Sequence, residues 1–576
     1  MKVSSRKKMR KQPAISDSDI EKINMKNPIA LEENEQKQEQ KQEQKQEQKQ
    51  EQKTELKNKP KTKKYKPVKC NDEMSFEECE LTILRSVVDL GTEQEGQYLV
   101  QNPDIQKMIR LLEEWLREKG NMCYGGTALN AVLPKNAQFY NRDVEIPDYD
   151  FFSPHALQDA IELSQYYQRA GFEMVEAKSG VHHGTFKVYV NFIPLADITQ
   201  LEPVLYKNMK DDSITIGGIS YAPIHFLRLA CFTELSRPKG DVSRWEKVFK
   251  RLTLLNQYYP LKSSIPCELV EFQRPMTPSS VSKASKRGKT PEEKEEEFET
   301  TQKHIYEWTR DALIEQGAVF FGGYATSMYA KHMSAKERAW VKQIPDFDVL
   351  CVRAGECAQK VAEDLRVKGV MGVTIQEHEA IGEIVPRHYQ IIVYGKETIC
   401  FVFEPIACHS YNQISSDGKK VNVATIDTML SLYLAFIYTG KPYFYKERIL
   451  CMAQYLFDVE QANRLEQKGV LKRFTMECVG KQDSLIDIRG EKARKFRELK
   501  KGTAEYNEWF LKYNPATDKE PLWDSDLGKI GEKGEVEKGA IELNKRKTKK
   551  YNKKPVYKNP YKTRRYRKSS RSVYFY

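Results

Sequence analysis

Gly125-Gly126-Thr127-Ala128-Leu129-Asn130 followed by Ile146-Pro147-Asp148-Tyr149-Asp150, and again Gly322-Gly323 followed by Ile344-Pro345-Asp346-Phe347-Asp348: one pattern occurs twice in this chain. From the second glycine to the first aspartate there are 22 residues in the first copy and 23 in the second. Carboxylates at i and i+2 of a strand project from one face. Like charges held that close repel, and a divalent cation is the usual reason for tolerating them. Each pair is followed by a strand with a similar ending, Phe192-Ile193-Pro194-Leu195-Ala196-Asp197 and Phe403-Glu404-Pro405-Ile406-Ala407-Cys408. On that frame a third carboxylate in the first copy is a thiol in the second, with Glu404 as its substitute if the frame is shifted.

Outward from these signatures the periodicity predicts the same order of elements twice. In the first half it gives helices over 75–90 and 105–119, a strand over 121–124, the Gly-Gly turn, and a helix over 127–133 stopped by Pro134. A strand over 149–152, a helix over 154–170, and one strand over 185–198 interrupted at Pro194 come next, then helices over 223–235 and 243–258. In the second half it gives a helix over 291–316, a strand over 318–321, the second Gly-Gly turn, the Asp346/Asp348 strand, a helix over 355–368, strands over 389–394 and 398–403, and helices over 425–438 and 445–459. Strands mixed with helices in this order predict an α+β layer structure. A period near 200 residues is far too long for a solenoid and indicates a duplicated domain. A further helix is expected over 494–512 and a loop over 514–538.

Composition sets the limits. The chain has 576 residues, 40% of them hydrophobic, which leaves room for two large cores together with segments that bury little. No apolar run approaches the roughly 18 residues of a membrane span, and the N-terminus lacks a signal-peptide core, so a soluble intracellular protein without membrane partners is expected. The 11 cysteines are scattered and never spaced as Cys-x-x-Cys. That reads as reduced thiols. The formal charge is +13, and residues 543–576 alone carry 14 Lys and Arg with no Asp or Glu, so the remainder is close to neutral. The expected partition is a disordered low-complexity N-terminus (1–66, with Lys-Gln-Glu-Gln repeats), a first domain (71–270), a linker (271–290), a second domain (291–480), a partly helical extension (481–542) and a basic tail (543–576).

If Asp148, Asp150 and Asp197 converge, three carboxylates can hold two Mg²⁺ or Mn²⁺ ions, which prefer oxygen ligands. Two such ions about 3.5 to 4 Å apart can activate a hydroxyl and neutralise a leaving pyrophosphate in an in-line displacement. Gly125 and Gly126, lying between a strand and a helix N-terminus, let backbone N–H groups approach a triphosphate. Thr127 can cap that helix or give its hydroxyl to a phosphate.

This arrangement resembles the nucleotidyltransferase superfamily that includes DNA polymerase beta and the poly(A) polymerases. The long spacing from the glycines to the aspartates is most similar to the poly(A) polymerase catalytic subunits of poxviruses and of giant viruses of the mimivirus group. The resemblance covers roughly residues 75 to 480 and is strongest around the motifs. It implies two tandem nucleotidyltransferase-like domains with helical additions and disordered basic termini. It also implies template-independent addition of AMP from ATP to an RNA 3′ end, as in polyadenylation of viral mRNA. By that resemblance Asp148, Asp150 and Asp197 are the catalytic metal ligands, and Gly125, Gly126 and Thr127 flank the ATP triphosphate. It further implies a viral protein of the host cell cytoplasm or the virion, with a homodimer or a viral processivity subunit as partner.

With a thiol in place of the third carboxylate the second copy is expected to be degenerate, since hard cations select oxygen. In the tail, Tyr551, Tyr557, Tyr561 and Tyr566 alternate with cations, a composition suited to sequence-independent RNA binding or to localisation. His182-His183 reads as a strand start, and Lys187, Lys207, Lys210 and Arg244 are equal candidates for phosphate contacts. Two other readings fit the same residues: a terminal uridylyltransferase, differing only in its base pocket, and a non-catalytic RNA-binding scaffold.

Overall fold

The computed structural model describes residues 70–71, 73–274, 276–277, 290–341 and 346–521; the segments read as the low-complexity N-terminus and the basic tail lie outside the described residues. The chain divides into two units at Glu93/Gln94. In the first, Ser75 and Glu78 cap the Phe76–Gln101 helix reciprocally, the Glu78 amide donating to Ser75 Oγ (3.2 Å) and the Ser75 amide to Glu78 Oε2 (2.8 Å). That helix runs past the expected stop at 90, through Gly91 and Gly96, and ends only at Asn102-Pro103. All other elements below belong to the second unit.

Two eight-stranded mixed sheets form its core. The first contains β1 (Met122–Tyr124), β2 (Tyr149–Ser153), β3 (Val175–Ser179), β4 (Thr185–Val190), β5 (Ile193–Gln200), β6 (Ile214–Ile216) and β7 (Ile219–Tyr221). The second contains β8 (Val319–Phe320), β9 (Phe347–Leu350), β10 (Thr374–His378), β11 (His388–Val393), β12 (Glu397–Phe403), β13 (His409–Ser416), β14 (Lys419–Ala424) and β15 (Cys478–Val479). A last strand, β16 (Lys512–Tyr513), returns to the first sheet. The orders are β16-β3-β4-β5-β2-β1-β7-β6 and β10-β11-β12-β9-β8-β14-β13-β15. From β3 to β6 and from β10 to β13 the strand order and the alternation of parallel and antiparallel pairs are the same. The α+β reading is therefore correct, and the repeated order matches the repeated motif.

Local chemistry explains the helices that position the first copy. Asn102 caps the Pro103–Lys119 helix, its Oδ1 accepting from the amides of Asp104 (2.9 Å) and Ile105 (3.4 Å), and Gly120 ends it at φ 68°. This helix and Ala156–Arg169 bury their apolar sides, including Leu112, Trp115, Ile161 and Leu163, on one face of the first sheet. The strands of the β3–β4 hairpin alternate accordingly, with Val175, Ala177, Val188 and Val190 buried. Ile224–Leu235 packs on Ile426–Phe436, joining the two halves.

Three expectations are corrected. The single strand over 185–198 is a hairpin, turned at Asn191 and Phe192, both in the left-handed region (φ 49° and 67°); Pro194 sits at the β4–β5 bulge, where a missing N–H is tolerated. The single helix over 494–512 is two, Leu485–Glu498 and Ala504–Phe510, separated at Gly502 (φ 87°) and followed by β16. The cysteines are not all reduced: Cys70–Cys79, Cys267–Cys451 and Cys408–Cys478 are bonded, with Cα separations of 5.4, 5.3 and 5.3 Å. Partners 184 and 70 residues apart leave no spacing signal for a sequence reading to find. The stretch read as a linker also begins inside the core, with Phe272 and Gln273 buried.

Candidate active site

The pairing register brings two of the three aspartates together and leaves the third just before the same strand. Asp150 on β2 stands directly opposite Asp197 on the parallel neighbour β5, and opposite Tyr124 on β1. Directly paired residues on adjacent strands share a face with Cβ atoms about 5 Å apart. Asp148, two residues before Asp150, lies at the open end of the same face, and the Thr127 hydroxyl donates to its backbone carbonyl oxygen (2.6 Å). Thr127 thus fixes the carboxylate loop to the first turn of the Gly125–Val132 helix, a tie that spacing did not reveal.

Gly125 is required where it stands. Its φ of +72° is left-handed, and a β-carbon would lie 2.5 Å from Asp150 Oδ2. A β-carbon on Gly126 would lie 2.5 Å from the Tyr140 hydroxyl. No side chain caps the helix that begins here, so its first N–H groups face the glycine turn.

The electrostatics are those of a site short of positive charge. Burial pushes Asp150 up to about 7, with Asp148 and Asp197 adding to the rise and Lys187 and Arg244 opposing it. Asp148 is raised by burial and by Asp197, with Lys187 and Lys247 opposing. Lys187, opposite Asp197 on β4, bonds Asp197 Oδ2 and is the cation nearest the trio. Arg244 and Lys247, at the start of the Trp245–Tyr258 helix, act on the pair only through their charge, and Arg244 itself pairs with Glu234 (3.3 Å). Of the four cations that the sequence left equal, the contact with Asp197 singles out Lys187. Lys210 instead bonds Gly120 O (2.5 Å) and Ser220 Oγ (2.7 Å), a structural role. His183, in the turn before β4, lies against Trp509 with ring centroids 4.2 Å apart and the planes tilted by 35°.

Beside Asp148 a cavity of about 340 Å³ is lined by Thr127, Asn130, Tyr140, Arg142, Ile146 and Pro147, among others. Asn130 Oδ1 shapes its wall by accepting from the amides of Phe139 (2.7 Å) and Tyr140 (2.9 Å), and Arg251 donates to the Tyr140 hydroxyl (2.7 Å). Sequence reading missed this wall: Asn130 stood in the glycine motif without a role, and Tyr140 and Arg251 carry no spacing pattern.

The oxygen-only donor set and the charge-starved carboxylates fit a hard divalent cation. As the chain stands Asp197 is drawn to Lys187, and among the described residues no three metal-ligating side chains close on one point.

The second carboxylate pair is arranged differently. Arg274, from the stretch read as linker, bonds Asp346 Oδ2 (2.7 Å) and Asp348 Oδ1 (2.8 Å). Burial alone would lower the pKa of Arg274; the two carboxylates more than offset this, and it stays charged. Phe401, not Cys408, stands opposite Asp348, and the guanidinium lies 4.7 Å from its ring centroid. The Phe-x-Pro-x-Ala frame falls inside β5 but runs past the end of β12, which is why aligning on it misplaced the third position. Cys408 is bonded to Cys478.

Comparison with known proteins follows the motif region. A family model described as "Poly(A) polymerase catalytic subunit" matches residues 110–241. The chain is 31% identical over 160 residues to a predicted poly(A) polymerase catalytic subunit of Acanthamoeba polyphaga mimivirus, covering 27% of this chain and 27% of that protein. It is 29% identical over 167 residues to one of African swine fever virus (isolate Tick/Malawi/Lil 20-1/1983), covering 27% of this chain and 34% of that protein. The match thus spans about a quarter to a third of these relatives' length. The fold is similar to the crystal structure of the Megavirus polyadenylate synthase, with a TM-score of 0.61 and 18% identity, over 79% of this chain and 88% of that one. The motif-based resemblance to viral poly(A) polymerase catalytic subunits is the one these comparisons find. Among the described residues no helix is long and apolar enough to cross a membrane.

Proposed function

We propose that the chain is a template-independent polynucleotide adenylyltransferase, in which an RNA 3′-hydroxyl attacks the α-phosphate of ATP and pyrophosphate leaves. The observation that carries this reading is the pairing of Asp150 with Asp197 across adjacent strands, beside a turn in which Gly125 is left-handed and crowded by Asp150. Asp148, Asp150 and Asp197 are the residues that would hold Mg²⁺ or Mn²⁺. When bound, such ions activate the attacking hydroxyl and neutralise the leaving group. Gly125 and Gly126 let the triphosphate approach the N–H groups of the helix start. On this reading Asp197 would receive the hydroxyl proton. The cavity beside Asp148 takes the base and ribose, its volume being at the lower end of the range for small-ligand sites.

In the second copy a protein cation stands between the two carboxylates and a phenyl ring stands where the third would be. We infer two nucleotidyltransferase-like domains, 71–270 and 291–480, the first catalytic and the second structural or RNA-binding. The viral relatives support a viral protein acting on mRNA in the host cytoplasm, alone, as a dimer or with a processivity subunit.

The test is primer extension by purified protein with RNA, Mg²⁺ or Mn²⁺, and each nucleoside triphosphate in turn. ATP-selective extension is expected, abolished by Asp148→Ala or Asp197→Asn and largely retained in Asp346→Ala. Preference for UTP would make it a uridylyltransferase, and no extension a scaffold.

A further inference from the structure

The carboxylate face of the first sheet continues beyond the aspartates to the sheet edge. Across it one residue on each of six adjacent strands pairs with the next: Lys512 on β16, Lys178 on β3, Lys187 on β4, Asp197 on β5, Asp150 on β2 and Tyr124 on β1. Paired residues share a face, so three cations lead to two carboxylates in one row. At roughly 4.8 Å per strand the lysines cover about 10 Å. Tyr189, two residues beyond Lys187 on the same face, is half-buried, and Lys178 Nζ lies 5.1 Å from its ring centroid. Lys178 also pairs with Glu176 (2.5 Å), with its side chain 42% exposed, and Lys512 is exposed. The opposite face of the β3–β4 hairpin is buried core, so strand alternation commits these cations to the carboxylate side.

The row has a direction. The glycine turn follows β1, on one side of Asp150, whereas the lysines lie beyond Asp197 on the other. An in-line displacement puts attacking and leaving oxygens on opposite sides of the reacting phosphorus. If pyrophosphate leaves on the glycine side, the nucleophile arrives from the lysine side.

We propose that the edge β16-β3-β4 is the track along which the 3′-terminal nucleotides of a single-stranded RNA reach the carboxylates, with phosphates on Lys512 and Lys178 and a base stacked on Tyr189. The proposal rests on the functional reading above and adds to it the path of the acceptor strand. Phosphate neutralisation and base stacking are indifferent to sequence, as the growing end of a homopolymer requires. Lys512 arrives from the C-terminal part of the chain, so this surface is a joint product of distant segments. The spacing of residues in the sequence held no sign of it.

The test uses the full chain with Lys178→Ala/Lys512→Ala and, separately, Tyr189→Leu. RNA affinity is read by fluorescence anisotropy with an oligoadenylate across a KCl series, alongside steady-state extension. The double variant is expected to bind about tenfold more weakly and to lose about 1.4 from the slope of log affinity against log salt, at roughly 0.7 per phosphate contact on a single strand. Its KM for RNA rises, while its KM for ATP and its Tm stay unchanged. Tyr189→Leu loses about tenfold in affinity with the salt slope intact. An active double variant with unchanged affinity and slope overturns the track. So does a rise in the KM for ATP with RNA affinity intact, which would assign the row to the triphosphate. RNA bound through this row by a chain that extends no primer would support the surface and remove the polymerase reading.

Discussion

At Gly125 two independent constraints meet, a left-handed φ of +72° and a carboxylate oxygen 2.5 Å from where a β-carbon would stand. Gly125→Ala must push Asp150 aside or move the helix start, and a displacement near 1 Å at reacting groups costs about 100-fold in rate. A fall of that size in kcat with little change in Tm is expected from steady-state extension and thermal melting. Arg274 is the complementary case in the second copy. Removing one partner of a buried charge pair leaves the other uncompensated, at about 3–5 kcal/mol. Arg274→Met should therefore lower Tm substantially, and Mn²⁺ should restore part of the loss in the variant. No recovery with Mn²⁺ would mean that the freed pair cannot accept a cation. The glycines and aspartates were legible because each is a residue type that local backbone or charge demands. Arg274 and Phe401 were not, since Arg274 acts through a contact 74 residues away in sequence and Phe401 through strand register.

Among the elements, the Ile426–Phe436 helix is buried along its whole length, Asp427 included. Burial and Glu460 push Asp427 up to about 8, with Arg473 opposing. An acid raised in the fold contributes stability that is present below its unfolded pKa of about 3.9 and is lost as pH rises through the folded value. Asp427→Asn should thus raise Tm at pH 8 by a few degrees and leave it nearly unchanged at pH 4 to 5, as melting across that range will show. Helices of this kind were readable from apolar periodicity and caps. The β4–β5 hairpin was not, because its turn uses Asn191-Phe192 in place of the glycine that usually marks left-handed backbone, and Pro194 drew the break two residues too late. Short strands such as β15 and β16 have two residues each and no pattern to detect.

At the scale of the molecule, the halves are joined by core as well as by chain. Phe226 meets Tyr438 edge to face at 5.9 Å, Asn208 donates to Tyr438 O (2.9 Å), and Arg448 donates to Glu271 O (3.0 Å) and Phe272 O (2.8 Å). Cys267 is bonded to Cys451 across the same boundary. Neither half can unfold without exposing the other's apolar face, so differential scanning calorimetry should show one cooperative transition for the folded region. Two resolved transitions would mean that the interface is weaker than its burial implies. The duplication was legible in the sequence through the doubled motif, and the return of β16 to the first sheet was not.

That return sets an order of assembly. On the ribosome the aspartate trio and its glycine turn are complete once β7 has emerged, whereas the lysine edge waits for β16, translated almost 300 residues later. On the proposed reading, a chain cut short between those points would carry the aspartates and the glycine turn without the finished lysine track.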